Sequence, residues 1–133
     1  MPYTLIDHTA DIGIRITGSD IKDLFLEAAM ALVAEMGAEA SSIEKTSIIE
    51  VAGYDYEDLL VVFLNELLYE IQTGNFRVSG LDITSLFENN VRAIVKGTLG
   101  NTPLKANIKA VTYHNLAIIK LAKGYETTII FDV

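Results

Sequence analysis

Two carboxylates and one imidazole lie within five residues near the start of the chain. The segment 7–11 reads DHTAD, with Asp7 and Asp11 at its ends and His8 beside Asp7. Carboxylate oxygens are the ligands that hard divalent cations such as Ca²⁺ prefer. The alternative is a turn in which the Asp and Thr side chains hydrogen-bond to the backbone. Taken alone, the segment favours the turn.

The last two residues form a second candidate site. Asp132 offers a side-chain carboxylate next to the main-chain carboxylate of Val133. Two anions this close are unfavourable unless another group neutralises them. A cation would do so, and so would a lysine such as Lys105 or Lys109. The alternative is an exposed, solvated chain end.

A third candidate is the segment 109–114, which reads KAVTYH and carries Lys109 and His114. This pattern is weak evidence by itself, since a lone histidine in a turn is more often structural. The sequence has no glycine-rich phosphate loop and no nucleophile elbow. With two histidines in the chain, a histidine-rich transition-metal site is disfavoured.

Length and composition predict one globular domain spanning residues 1–133. The absence of cysteine excludes disulfides and thiolate-bound zinc. A net charge of −8 disfavours direct binding to nucleic-acid phosphates, but suits a cation or a basic protein partner. The sequence has neither an apolar run of membrane-spanning length nor the pattern of a secretory signal, so we predict a cytoplasmic protein without membrane association.

The elements that must position these residues follow from hydrophobic periodicity and capping residues. In chain order they are a strand at 11–17, a helix from Ser19 or Asp20 to Gly37, a strand at 46–53, a helix from Asp55 to Gly74, a hairpin at Asn89-Asn90, strands at 107–113 and 116–121 joined by His114-Asn115, a turn at Lys123-Gly124 and a strand at 125–133. The pattern predicts an α+β fold, with two helices packed on largely antiparallel sheet layers. The face of the second helix that carries Val62, Asn65 and Tyr69 is only weakly polar, which favours a central helix.

Four segments, in this order along the whole chain, resemble the archease family. They read DHTADIGI at 7–14, LL at 59–60 with FLNELLY at 63–69, KAVTYH at 109–114, and FDV at 131–133. The resemblance implies a protein cofactor of the RtcB-type RNA ligase, which joins RNA ends in tRNA splicing and RNA repair. Archeases promote guanylylation of the ligase and its multiple turnover, so the resemblance implies an accessory protein and not an enzyme.

The resemblance also implies a divalent-cation site, which in the family is often assigned to calcium. Carried onto this sequence, its ligands are Asp11, Asp132 and the terminal carboxylate of Val133. The resemblance also implies supporting roles at this site for His8, Lys109 and His114. We expect Ca²⁺, with Mg²⁺ or Mn²⁺ as alternatives. The segment 100–103 lacks the acidic and histidine residues often found there in the family, so we expect no further ligand from it.

Two other functions remain open at this point. Paired carboxylates are able to hold a metal-activated water in a stand-alone phosphoester hydrolase. A chaperone-like binding module would instead use the back of the second helix, around Val62 and Tyr69. The oligomeric state is also left open by the sequence.

Overall fold

The computed structural model describes residues 11–100, 102–112 and 116–133. Asp7, His8, His114 and the predicted His114-Asn115 connection lie outside the described residues. Two helices and seven strands form within them. In chain order these are β1 (Ile12–Gly18), α1 (Ile21–Met36), β2 (Lys45–Ala52), α2 (Tyr56–Gln72), β3 (Phe76–Phe87), β4 (Asn90–Leu99), β5 (Ala110–Thr112), β6 (Ile119–Lys120) and β7 (Tyr125–Asp132).

The strands form two antiparallel sheets. The first has the order β1-β7-β5, with β6 also pairing β7, and the second has the order β2-β4-β3. Each helix contacts strands of both sheets, and the helices contact each other. The rings of Phe25 and Phe63, one from each helix, lie 6.0 Å apart in the core. The predicted α+β fold with antiparallel layers is confirmed.

Both helices begin where the sequence places an aspartate cap. The side chain of Asp20 accepts a hydrogen bond from the N–H of Asp23 at 2.7 Å, and Asp55 accepts one from Asp58 at 2.8 Å. These bonds satisfy backbone donors that the first helical turn leaves without partners. Helix α1 ends at Gly37, whose φ of 66° is the left-handed conformation that glycine adopts without strain.

The predicted end of α2 at Gly74 is wrong by a short distance. The helix ends at Gln72, and the cap is Thr73 in a right-handed conformation. The N–H groups of Thr73 and Gly74 still donate backward to Tyr69 and Glu70. Because these bonds prolong the helical path, the chain reverses only at Asn75, which has a φ of 54°.

Helix α2 is central, as predicted. It contacts α1, three strands of the second sheet and β5 of the first. Along the described part of the chain, neither helix is both long and apolar enough to cross a membrane. The outer side of α2 is mixed in exposure. Val62 and Asn65 are half-buried, whereas Tyr69 is 59% exposed.

The predicted hairpin between strands 107–113 and 116–121 is wrong. β5 and β6 pair with β7 and both run antiparallel to it, so they run in the same direction. Since β1 occupies one edge of β7 along nearly its whole length, β5 and β6 share the other edge. The hairpin lies between β6 and β7, where the N–H of Leu121 donates to Gly124 and Gly124 has a φ of 94°. The turn predicted at Lys123-Gly124 is therefore confirmed.

The predicted hairpin at Asn89-Asn90 also forms, between β3 and β4. Phe87 pairs with Asn90, so the two loop residues are Glu88 and Asn89. Neither asparagine needs a positive φ, because among the described residues that are not glycine only Asn75 has one.

Candidate functional site

The first and last strands bring Asp11 and Asp132 together. β1 pairs antiparallel with β7, and Ile12 lies opposite Phe131. Continuing this register by one residue places Asp11 opposite Asp132. Because side chains alternate along a strand and Ile12 and Phe131 are buried in the core, both carboxylates belong to the outer face of the sheet. Asp11 is exposed and Asp132 is half-buried.

A third segment flanks Asp132 on its other side. Ala110 of β5 lies opposite Asp132, and the N–H of Lys109 donates to the Asp132 carbonyl oxygen at 2.7 Å. The Lys109 side chain is exposed, and Val133 is half-buried against the core. The structure therefore places four predicted site residues at one end of the first sheet: Asp11, Lys109, Asp132 and Val133.

Helix α2 holds β5 through Asn65, a residue with no role predicted from the sequence. The side-chain amide of Asn65 donates from Nδ2 to the Val111 carbonyl at 3.0 Å, and its Oδ1 accepts the Val111 N–H at 2.9 Å. The amide thus satisfies both backbone groups of one residue, as a neighbouring strand would. The signal in the sequence that could have identified Asn65 is an amide side chain on an otherwise apolar face of the helix.

Further contacts with the helices fix the segment that leads into β5. Gln72 Nε2 donates to the carbonyl oxygen of Ile108, and the N–H of Lys105 donates to the carbonyl of Met36 at 2.7 Å. The backbone on both sides of Lys109 is therefore held by the helices. Consequently, the position of Lys109 beside Asp132 depends on α2 as well as on β7.

A buried arginine connects the end of α2 with the chain after β4. Arg77 is 5% exposed, and its guanidinium group donates to the carbonyl oxygens of Ile71, Phe76 and Thr102. A cation near the end of a helix is favourable because the last carbonyls carry partial negative charge. This residue was missed from the sequence, since an arginine in a strand is usually solvent-exposed.

The donor set suits a hard cation. Carboxylate oxygens are the donors that hard divalent cations prefer, and such a cation would attract the carboxylates of both Asp11 and Asp132. Calcium takes six to eight oxygen ligands, so two aspartates need main-chain, terminal or water oxygens to complete its shell. In residues 11–100, 102–112 and 116–133, no three His, Cys, Asp or Glu side chains converge on one point. Any ion at Asp11 and Asp132 would therefore take further ligands from other kinds of group, or from residues outside these ranges.

Comparison with known proteins identifies the class. The model of the archease protein family matches residues 3–133, and the chain therefore belongs to the archease family. It is 34% identical to the archease of Archaeoglobus fulgidus over 137 residues, covering both chains completely. It is also 34% identical to the archease-like protein of Drosophila melanogaster, covering the whole chain and 91% of that protein. The family predicted from the four sequence segments is confirmed.

Solved structures confirm the fold. A crystal structure of an archease from Thermotoga maritima, described as a possible chaperone, superposes with a TM-score of 0.72 at 23% identity, covering 98% of this chain and 96% of that one. The solution structure of a protein from Methanobacterium thermoautotrophicum gives a TM-score of 0.73 at 22% identity, covering 96% of each chain. At these identities the likeness concerns the fold alone.

Proposed function

We propose that this chain is an accessory protein of an RtcB-type RNA ligase, and that it promotes guanylylation and repeated turnover of that ligase in tRNA splicing or RNA repair. Membership of the archease family supports the proposal. The observation that carries it is the pairing of Ile12 with Phe131, because Asp11 and Asp132 are the next residues along the chain from this pair, at one end of the first sheet. In this proposal the ligase performs the bond-forming chemistry and this chain supplies an acidic docking surface.

The same surface binds a divalent cation in our proposal. Asp11, Asp132 and the terminal carboxylate of Val133 are the ligands, and His8, Lys109 and His114 support them. All three ligands are oxygen donors, which favours Ca²⁺, or Mg²⁺ and Mn²⁺, over zinc. When bound, the cation would neutralise the carboxylates and fix their geometry. The chain's own contribution is to orient these groups through β1, β5 and β7.

A multiple-turnover ligation assay with the cognate ligase tests the functional part. We expect the native chain to raise both the guanylylated fraction of the ligase and the number of products per ligase. Asp132→Asn should reduce this stimulation by about tenfold or more, in line with losses at metal-site residues. Glu50→Gln is the matched control, because it makes the same chemical change at an exposed position of the other sheet. If adding the native chain changed neither the guanylylated fraction of the ligase nor the number of products per ligase, the proposal would be wrong.

Thermal melting in calcium tests the metal part independently of any ligase. Ligand linkage predicts a gain of about 2.7 kcal/mol in the free energy of unfolding at a calcium concentration a hundred times Kd. We expect Asp11→Asn, Asp132→Asn and a one-residue extension after Val133 to reduce this gain, while Glu50→Gln retains it. Equal melting temperatures of the native chain across a wide calcium range would contradict a calcium site.

The chaperone-like alternative has one observation in its favour: Tyr69 is 59% exposed on α2, two turns along the same side of the helix from half-buried Val62. The purified chain would then suppress aggregation of unrelated proteins and leave the ligase unaffected. A stand-alone hydrolase would turn over a phosphoester with no partner present. The ligation assay, an aggregation assay and a phosphoesterase assay on one preparation therefore separate the three functions.

A further inference from the structure

In the part of the chain that the structure describes, the second sheet leaves one edge of β3 without a strand partner over residues 80–87. β4 pairs with β3 on one side, and on the other side Val78 exchanges backbone hydrogen bonds with Ala38 and Ala40. Beyond that contact, and within the described part of the chain, residues 80–87 have no strand partner except β4. Alternate residues of an edge strand direct their N–H and C=O groups away from the sheet. This stretch therefore presents backbone donors and acceptors to an additional strand.

Two adjoining cavities follow this free edge. One of about 510 Å³ lies between residues 81–83 and the first turns of α1, and one of about 430 Å³ continues along residues 83–86. The cavities share Asp20, Lys22 and Ile83 in their walls, so they form one trough between β3 and the start of α1. Residues 81–86 span roughly 20 Å at the usual rise of a strand. The trough is long enough for a short extended peptide.

The trough combines apolar and acidic surfaces. Its apolar side chains include Leu26 and Leu81 in the first cavity and Leu86 and Tyr125 in the second. Its charged side chains are Asp20, Lys22, Asp23 and Asp82, and the Asp82 carboxylate forms an ion pair with Lys96 at 2.5 Å. The start of α1 offsets about half a unit of this negative charge through the helix dipole. Three carboxylates against the ammonium groups of Lys22 and Lys96 leave the trough a small net negative charge, which complements a basic ligand.

We propose that the trough binds an extended segment of a basic protein, which adds to the second sheet as a strand beside β3. Main-chain hydrogen bonds to the free edge would supply affinity, and alternate side chains would supply specificity. One set of side chains packs on the apolar wall, and the other set presents lysine or arginine to the carboxylates. β3 shifts register between Val78 and Gly80 and between Ile83 and Ser85, so regular pairing is limited to a few residues and the segment is short.

This surface is separate from the carboxylate pair. The trough begins where β1 ends at Gly18, opposite Tyr125, whereas Asp11 precedes the other end of β1. The seven residues of β1 separate the two ends by roughly 20 Å. Binding in the trough therefore does not rest on the proposed ligase function, and either proposal can fail without the other.

A peptide titration tests strand addition. The probe is a seven-residue peptide of alternating lysine and valine, and the matched control replaces each lysine by glutamate. We expect saturable binding of the lysine peptide, with amide chemical-shift changes centred on residues 80–86. Two further versions carry N-methyl groups at the odd or the even positions. Because only alternate N–H groups face β3, one version should lose binding and the other should keep it.

Protein variants test the charge contribution. Asp82→Asn removes an exposed carboxylate of the trough and releases the Lys96 ammonium group from its ion pair. It should weaken binding of the lysine peptide by about two- to fivefold, the usual size of an exposed ion pair. Glu50→Gln makes the same change at the opposite edge of the sheet and should leave binding unchanged.

Several results would overturn the proposal. They are absence of saturable binding, equal binding of the glutamate peptide, equal binding of both N-methylated versions, and shift changes centred elsewhere. Protection of the amides of residues 80–87 from hydrogen exchange in the free chain would also overturn it, except for those that bond to β4, because the edge would then already be occupied.

Discussion

Replacing Gly97 by alanine should lower the free energy of unfolding by about 3 kcal/mol or more, which corresponds to a fall of roughly 10 °C in melting temperature. A Cβ atom at Gly97 would lie 1.8 Å from the carbonyl oxygen of Arg77 and 3.0 Å from Cε1 of Phe76. The Arg77 oxygen belongs to the main chain, so no side-chain rotation relieves the overlap. β4 lies between β2 and β3, so its displacement would disturb pairing on both sides.

Gly80→Ala is the matched control for this substitution. Gly80 lies in the adjacent strand of the same sheet, opposite the neighbour of Gly97, and an added Cβ would meet no atom within 4 Å. The φ of Gly80 is not positive, so alanine fits its backbone and should be neutral or stabilising by up to about 1 kcal/mol. Thermal and denaturant unfolding of both variants provides the measurement. Equal stability of the two variants would show that the short distance between Gly97 and the Arg77 carbonyl oxygen does not limit stability.

Replacing Asn65 by aspartate should cost about 2–4 kcal/mol of unfolding free energy. The substitution removes the donor to the Val111 carbonyl and sets a carboxylate oxygen against that carbonyl, in a half-buried position. Asn65→Ala loses both hydrogen bonds to Val111 but introduces no charge, so its cost should be smaller, at about 1–2 kcal/mol. The order aspartate, alanine, asparagine in rising stability is specific to an amide that pairs with both backbone groups.

Denaturant unfolding of the two Asn65 variants gives this order directly. Glu66→Gln is the control, because it exchanges a carboxylate for an amide at the next residue, which is exposed. Since Asn65 holds β5 beside Asp132, Asn65→Asp should also reduce stabilisation by calcium if the proposed ion binds there. If both variants had the same free energy of unfolding as the native chain, the two hydrogen bonds to Val111 would contribute little to stability.

The helices were predictable from local sequence. Asp20 and Asp55 cap α1 and α2 as expected, because a cap depends on residues within one helical turn. Gly37 and Gly124 likewise mark a helix end and a turn, since their positive φ is a local demand that glycine meets without strain. The alternation of apolar residues in β7 also predicted its buried face, with Ile129 and Phe131 inside.

Strand partners were less predictable. The sequence favoured a hairpin between the segments before and after residue 114, because two apolar runs with a short connection match that pattern. The structure instead pairs β5 and β6 with β7, which is a non-local choice. It depends on β1 occupying the opposite edge of β7, and no short window of the sequence contains that information.

The features of the candidate site likewise fall into those that the local sequence determines and those that the tertiary structure decides. By itself, the sequence determined the two helices, their N-terminal caps, the faces of β1 and β7, and, through four ordered segments, membership of the archease family. Only the tertiary structure decided that Asp11 and Asp132 lie at the same end of the first sheet, that Asn65 holds β5, and that β3 borders an open trough. The physical reason is the separation along the chain between the residues that interact. Caps, turns and alternation arise from contacts within a few residues, whereas the carboxylate pair joins positions 11 and 132 through a sheet register set by the whole core.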